Sequence, residues 1–226
     1  MRAPGVPECD IHVWLLHLDQ AWASPDQLSP DEQARARRYQ CRHARHSFVQ
    51  TRAALRQVLG HCLGLPPLAI GLEEGHHGKP RLAASLPRLE FNVSHSGQLA
   101  LIALGRTPLG VDLEHLDRPL DWRELAPACC HPDELPVLRR MPDPDGHRQF
   151  LRLWTLREAY VKGTGEGLSQ SPADIRLEYG DAAWRVAGDA GWHLHALTLP
   201  GGYVGSLAAT MKNPVVRLKA LTATPW

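Results

Sequence analysis

Asp112 and Glu114, in the run LGVDLE at 109–114, are the pair with the clearest chemical potential in this chain. Side chains alternate along an extended strand, so both carboxylates fall on one face and Val111 and Leu113 on the other. Two like charges about 4 Å apart repel by roughly 4 kcal/mol at an effective dielectric near 20. A solvated edge strand would screen that repulsion. Here the pair follows the strongly apolar run LALIAL at 99–104, which points to a bound divalent cation instead. Glu158 and Lys162 stand four apart, so a helix brings them onto one face. Taken alone they read equally well as a surface ion pair worth a few tenths of a kcal/mol. His95 lies in the polar stretch Ser94-His95-Ser96-Gly97 just before the apolar run.

These residues need elements to position them. The run 99–104 suits a strand buried on both faces. The break Gly105-Arg106-Thr107-Pro108 predicts a hairpin between it and 109–114, with Ser94–Gly97 as a preceding turn. Upstream, 11–18 reads as a first strand. Ser29-Pro30-Asp31-Glu32 is a helix start: Ser29 can cap, Pro30 fits the first helical position and Glu32 completes a capping box. That helix carries Arg35, Arg37 and Arg38, with Arg42 and Arg45 following. Apolar residues at helical spacing over 46–62 predict a core helix, stopped by Gly64-Leu65-Pro66-Pro67. A short strand at 70–73 precedes the loop Glu74–Pro80, where adjacent His76 and His77 point apart and so make a poor metal pair. Beyond the central run, 116–124 reads as a crossover, His131-Pro132-Asp133-Glu134 as a helix start and 141–146 as a loop. Phe150, Leu153, Trp154, Tyr160 and Val161 form an apolar helical stripe, with Trp154 read as core. Gly163, Gly165 and Gly167 end that helix. Four short strands follow at 175–179, 183–186, 192–199 and 203–209, with His193 and His195 on one half-buried face and a loose tail from 212 to 226.

The 226 residues suffice for one large domain or two packed halves. A net charge of +1 with 22% charged residues gives no sign of a nucleic-acid or membrane binder. Neither a membrane-length apolar run nor a signal-peptide pattern is read. The odd cysteine count of 5, without C-x-x-C spacing, suits reduced thiols in a cytoplasmic protein. The element order is α+β, divided near 106–109.

Gly78-Lys79-Pro80, FNVSHSG at 91–97, GVDLE at 110–114 and WTLREAYVKGTGEGL at 154–168 stand together in a pattern that resembles the 4'-phosphopantetheinyl transferases. The resemblance is to their larger, two-halved monomeric type, the surfactin-synthetase-activating type. It implies two similar pseudo-symmetric α/β subdomains with the active site in the cleft between them. Residues 1–107 would form the coenzyme A 3'-phosphate and adenine side, 108–212 the metal and catalytic side, and 213–226 a tail. It implies Mg²⁺-dependent transfer of phosphopantetheine from coenzyme A to a serine of an apo acyl or peptidyl carrier protein. Asp112, Glu114 and Glu158 would hold the metal, and Lys162 and His95 would stabilise phosphoryl oxygens. Glu158 stands as ligand, base or both. Arg35, Lys79, Pro80, Asn92, Ser94, His95 and Lys162 would contact the coenzyme. The sequence departs from the family pattern at Glu32, near which some relatives carry another basic residue, and this would redistribute part of the phosphate grip to Arg38 or Arg42. Arg157 replaces a frequent lysine, and its role stays open. A D-x-E with a nearby Glu and Lys also suits a metal-dependent nuclease, although G-K-P and S-H-S have no part in that scheme. A carrier-binding module without activity is the third reading, disfavoured by the full set of Asp112, Glu114, Glu158 and Lys162.

Overall fold

Two sheets stacked face to face, each covered outside by one long helix, make up the protein. The structure is a computed structural model and describes residues 10–20, 24–75, 78–167, 171–180 and 183–221. The first part contains β1 (Asp10–His17), α1 (Pro30–Arg38), α2 (Arg42–Leu63), β2 (Leu72–Glu74), β3 (Pro80–Leu82), β4 (Glu90–Ser96) and β5 (Leu99–Gly105). The second contains β6 (Leu109–His115), α3 (Trp122–Cys129), α4 (Leu135–Arg140), α5 (Asp145–Thr164), β7 (Leu177–Gly180), β8 (Ala183–Val186), β9 (Asp189–Ala196), β10 (Tyr203–Ala209) and β11 (Val215–Ala220). One sheet has the order β11-β1-β5-β4 and the other β6-β10-β9-β8-β7; β2 and β3 form a separate ribbon.

Strand alternation sorts the core into layers. In the first sheet Trp14, Leu16, Ala100 and Ile102 pack under Leu55, Val58 and Leu59 of α2. The intervening Ile11, Val13, Leu99 and Leu101 turn the other way and meet Leu109, Val111, Leu113 and Leu207 of the second sheet. β5 is therefore buried on both faces, as its unbroken apolar run predicts. Ser29 caps α1 with the full capping box, Glu32 returning the bond to the Ser29 backbone. Gly64 ends α2 and Gly165 ends α5, both in the left-handed conformation that glycine alone adopts without strain.

Three sequence expectations give way. Residues 94–96 finish strand β4, and the turn lies at Gly97-Gln98, so β4 is the hairpin partner of β5. β6 does not pair with β5; it crosses to the second sheet and runs antiparallel to β10. The chain changes sheet at 106–108, and Leu109, Val111 and Leu113 are buried in the core between the two sheets. Part of the expected tail is a strand: β11 pairs in parallel with β1, from Asp10 beside Val215 to Leu15 beside Ala220. An ion pair between Arg217 and Asp10 ties the two together.

Candidate active site

β4 and β6 are the facing edges of the two sheets, and side chains rather than a shared ladder join them. Asn92, Ser94 and Ser96 lie on one face of β4. The Val111 N–H donates to Asn92 Oδ1 at 2.9 Å, the Leu113 N–H to Ser94 Oγ at 3.4 Å and the His115 N–H to Ser96 Oγ at 3.1 Å. The same hydroxyls donate onward: Ser94 to Asp112 Oδ1 and Ser96 to Glu114 Oε2, each at 2.7 Å. Asn92, Ser94 and Ser96 thus satisfy an edge strand's backbone, and the two serines also orient the carboxylates, Ser94 that of Asp112 and Ser96 that of Glu114. Asn92 and Ser94, the two of these of which a coenzyme contact is expected, also border the cavities below.

α5 lies across β6 at very short range, made possible by Gly110. A Cβ there would sit 2.0 Å from the Ala159 carbonyl oxygen and 2.4 Å from the Gly163 nitrogen. This approach places Glu158 and Lys162 over the carboxylate face of β6. Lys162 Nζ donates to Asp112 Oδ1 at 2.6 Å and to Ser94 Oγ at 3.1 Å. Arg118 pairs with Glu114. A cavity of about 340 Å³ is lined by Ser94, His95, Asp112, Glu114, Glu158 and Lys162, with Val93, Leu113, Arg118 and Trp154. A second, mostly apolar cavity of about 320 Å³ shares Val93, Glu158 and Lys162 and runs toward Lys79, Pro80, Asn92 and Val161. A larger cavity, about 770 Å³, continues past Lys79 and Pro80 to Arg81, Arg88 and Phe91. Asp112, Glu114 and Glu158 together line the space of about 340 Å³.

The charge there is distinctive. Burial, then the neighbouring Asp112 and Glu114, push the Glu158 carboxyl above its ordinary pKa, against the pull of Lys162. His95 is exposed at the rim, yet crowding by protein, Lys162 and His43 hold its imidazole below the usual value. Asp112 Oδ2 is buried without a hydrogen-bond partner. Among the described residues no three His, Cys, Asp or Glu side chains are gathered closely enough to cage a metal as they stand. A Mg²⁺ site does not need such a cage, since that ion usually keeps waters and substrate oxygens beside one or two carboxylates. The orphaned Asp112 oxygen, beside Glu114 and a carboxyl raised by its acidic neighbours, fits such an ion.

Of the sequence candidates, Asp112, Glu114, Glu158, Lys162, His95 and Ser94 converge on one cavity, and Lys79, Pro80 and Asn92 on its neighbour. Arg35 lines neither; its guanidinium is 3.6 Å from Glu74 and lies over the Phe48 ring. Glu32 is buried against Arg56 and Arg52, so the departure at this position is a core ion pair. Arg157 is fully buried, held by Glu134 at 2.6 Å and by the Pro172, Ile175 and Leu153 carbonyls. Its role is structural. Trp154 corrects an expectation: it is not core but lines the carboxylate cavity. Its spacing from Glu158 and Lys162, four and four again, carried that signal, which the apolar stripe masked. Arg118 was missed, and its i, i+4 spacing from Glu114 lies outside any helix. His76, His77 and Leu168 lie outside the described residues.

Residues 14–106 match the family model of the 4'-phosphopantetheinyl transferase N-terminal region, and residues 108–207 match that of the 4'-phosphopantetheinyl transferase superfamily. The chain is 38% identical to the 4'-phosphopantetheinyl transferase HetI of Nostoc sp. (strain PCC 7120) over 71% of each chain. It is 31% identical to slr0495 of Synechocystis sp. over 83% of this chain and 79% of that one. With the 4'-phosphopantetheinyl transferase Sfp of Bacillus subtilis (strain 168) it shares 28% over 63% and 62%.

Proposed function

Because the chain belongs to the 4'-phosphopantetheinyl transferase superfamily and is an enzyme of that kind, we propose that it moves the 4'-phosphopantetheine arm of coenzyme A onto a carrier-protein serine. Adenosine 3',5'-bisphosphate is the other product, and an apo acyl or peptidyl carrier protein the acceptor. The observation that carries this reading is the convergence of Asp112, Glu114, Glu158 and Lys162 on one cavity that opens into an apolar one. A pyrophosphate suits the first, and the pantetheine chain suits the second. The two sheets with their outer helices are read as pseudo-symmetric subdomains of a monomer, divided at 107/108 with the site in the cleft. Two family models meeting at 106 and 108 support that division. The strand β11 belongs structurally with the first. No helix among the described residues is long and apolar enough to cross a membrane. The cytoplasm is the proposed location, on the odd number of cysteines without C-x-x-C spacing.

Asp112, Glu114 and Glu158 would hold a Mg²⁺ ion, which when bound offsets negative charge on the two phosphates. The remaining work falls to side chains of this chain. Lys162 and His95 place N–H donors where the phosphoryl oxygens gain charge, an arrangement more effective in a partly dry site than in water. Glu158 accepts the serine proton as the Oγ–P bond forms and the bond to the bisphosphate breaks. Lys79 and Pro80 line the apolar cavity with Asn92, and Arg35 marks the basic side for the 3'-phosphate.

Incubation with coenzyme A, Mg²⁺ and an apo carrier protein tests this directly. The carrier should gain the mass of one phosphopantetheine arm, and Asp112→Ala should abolish that gain while leaving the fold intact. An unmodified carrier, or full transfer in excess chelator, would overturn the reaction or the metal assignment respectively.

A further inference from the structure

Lys162 is gripped twice. Its side chain reaches Asp112 and Ser94, while its backbone carbonyl accepts a hydrogen bond of 2.6 Å from Lys79 Nζ. The same ammonium donates to the Gly163 carbonyl at 3.2 Å and to the Leu109 carbonyl at 3.4 Å. Lys162 and Gly163 stand in the last turn of α5, where carbonyls lack partners within the helix and the helix dipole is negative. Leu109 opens β6, one residue before the glycine on which α5 rests. One cation from the first part of the chain therefore bridges the end of the catalytic helix and the start of the carboxylate strand.

We infer that Lys79 is a positioning residue for transfer: its ammonium locks the last turn of α5 onto β6 and so aims Lys162 at the reacting phosphates. This rests on the proposed reaction, but it reassigns the charge of the G-K-P lysine from the coenzyme to the protein backbone. Lys79 lines the apolar cavity while its ammonium is bonded to backbone carbonyls, and long basic side chains commonly bury their stems while the charged head goes elsewhere. All three N–H groups have protein partners before any ligand arrives. The Gly110 contact sets how closely helix and strand approach. Lys79 holds the helix end from sliding or fraying along that contact, with Gly163 free of a Cβ that would strike the Trp192 ring at 2.5 Å.

Lys79→Met tests the inference, because methionine keeps an apolar stem against the cavity and removes the ammonium. In the ligand-free protein, amide exchange of Gly165, whose N–H donates to the Val161 carbonyl, should accelerate about tenfold while α2 amides do not change. In the transfer assay kcat should fall about tenfold to a hundredfold, the size of effect a misplacement near 1 Å produces. KM for coenzyme A should stay within about twofold. In a Lys162→Met background the same change should cost nothing more, since the two residues act as a unit. Lys79→Gln, which retains one donor, repeats each measurement with smaller effects of the same sign should the methionine variant not fold. A raised KM with kcat intact would show the ammonium on the coenzyme and overturn the inference. So would losses that multiply with Lys162→Met, unchanged exchange at Gly165, or a lower melting temperature with an unaltered kcat. A wild-type protein that modifies no carrier refutes the proposed reaction instead, and the exchange measurement still decides the clamp.

Discussion

Gly110→Ala should separate the two halves of the chemistry with a single methyl group. The added Cβ would lie 2.0 Å from the Ala159 carbonyl oxygen, 2.4 Å from the Gly163 nitrogen and 2.8 Å from its Cα. Real Cβ atoms essentially never come within 3.0 Å of such neighbours, and all three belong to the backbone of α5, so no side chain can swing aside. The helix must therefore lift from β6 by about 1 Å. Lys162 Nζ, now 2.6 Å from Asp112 Oδ1, would be carried with it, and so would Glu158. Overpacking of this kind costs about 1–3 kcal/mol of stability, which a domain of ordinary stability survives. A displacement of about 1 Å at reacting groups costs on the order of a hundredfold in rate. The expected result is a folded protein with its urea midpoint lowered by an amount matching 1–3 kcal/mol and transfer slowed roughly a hundredfold at saturating coenzyme A. A Gly110→Ala protein that is folded and transfers at the wild-type rate would refute the claim that close packing of α5 on β6 sets the site.

Glu158→Gln keeps the shape but loses charge and basicity, so saturating Mg²⁺ should not restore its rate; complete rescue would reduce Glu158 to a ligand. Burial and its acidic neighbours raise the Glu158 pKa, and a proton competes with a cation for a carboxylate. Affinity for Mn²⁺, followed by calorimetry, should therefore weaken as pH falls through that raised value, starting at higher pH than for an ordinary carboxylate; a flat profile there would contradict the assignment. Arg35→Ala should weaken binding of coenzyme A about tenfold and add little to the loss already seen with dephospho-coenzyme A. Simple additivity in that double cycle would place Arg35 off the 3'-phosphate. Arg157→Met removes the buried cation that pairs with Glu134 and donates to the Pro172 and Ile175 carbonyls, and should cost about 3–5 kcal/mol in urea unfolding; a loss below about 1 kcal/mol would show that the buried cation is dispensable.

What the sequence discloses is what is local. The alternation Val-Asp-Leu-Glu shows which way Asp112 and Glu114 face, because a strand has a period of two. The Ser29 capping box is readable because its partners lie three residues apart. The spacing of Glu158 and Lys162 is readable because a helix stacks them. What stays hidden is pairing across distance. Ser94–Gly97 reads as a polar turn, and nothing in N-x-S-x-S says that it is a strand face accepting the N–H groups of β6. The break at 105–108 looks like a hairpin turn, since local signals do not distinguish a strand that folds back from one that leaves for a second sheet. Gly110 looks like an ordinary glycine in a strand until the helix lying on it is known. Arg35 pairs with Glu74, a partner far along the chain that no helical spacing discloses.

The pairing of Leu15 with Ala220 has a consequence for synthesis of the chain. At about 5–20 residues per second, a ribosome makes residue 220 roughly ten to forty seconds after residue 15. β1 can meet β5 and α2 as soon as those have emerged, but its other edge stays without a ladder throughout that interval. An edge strand left open invites pairing with another chain, and many nascent copies are present at once in a polysome. Translation that stalls after β10 would release a product with every proposed catalytic residue in place and that edge uncovered. Such a fragment should be lost to aggregation before it is lost to inactivity, and the final strand would act as the seal on a molecule whose chemistry was already complete.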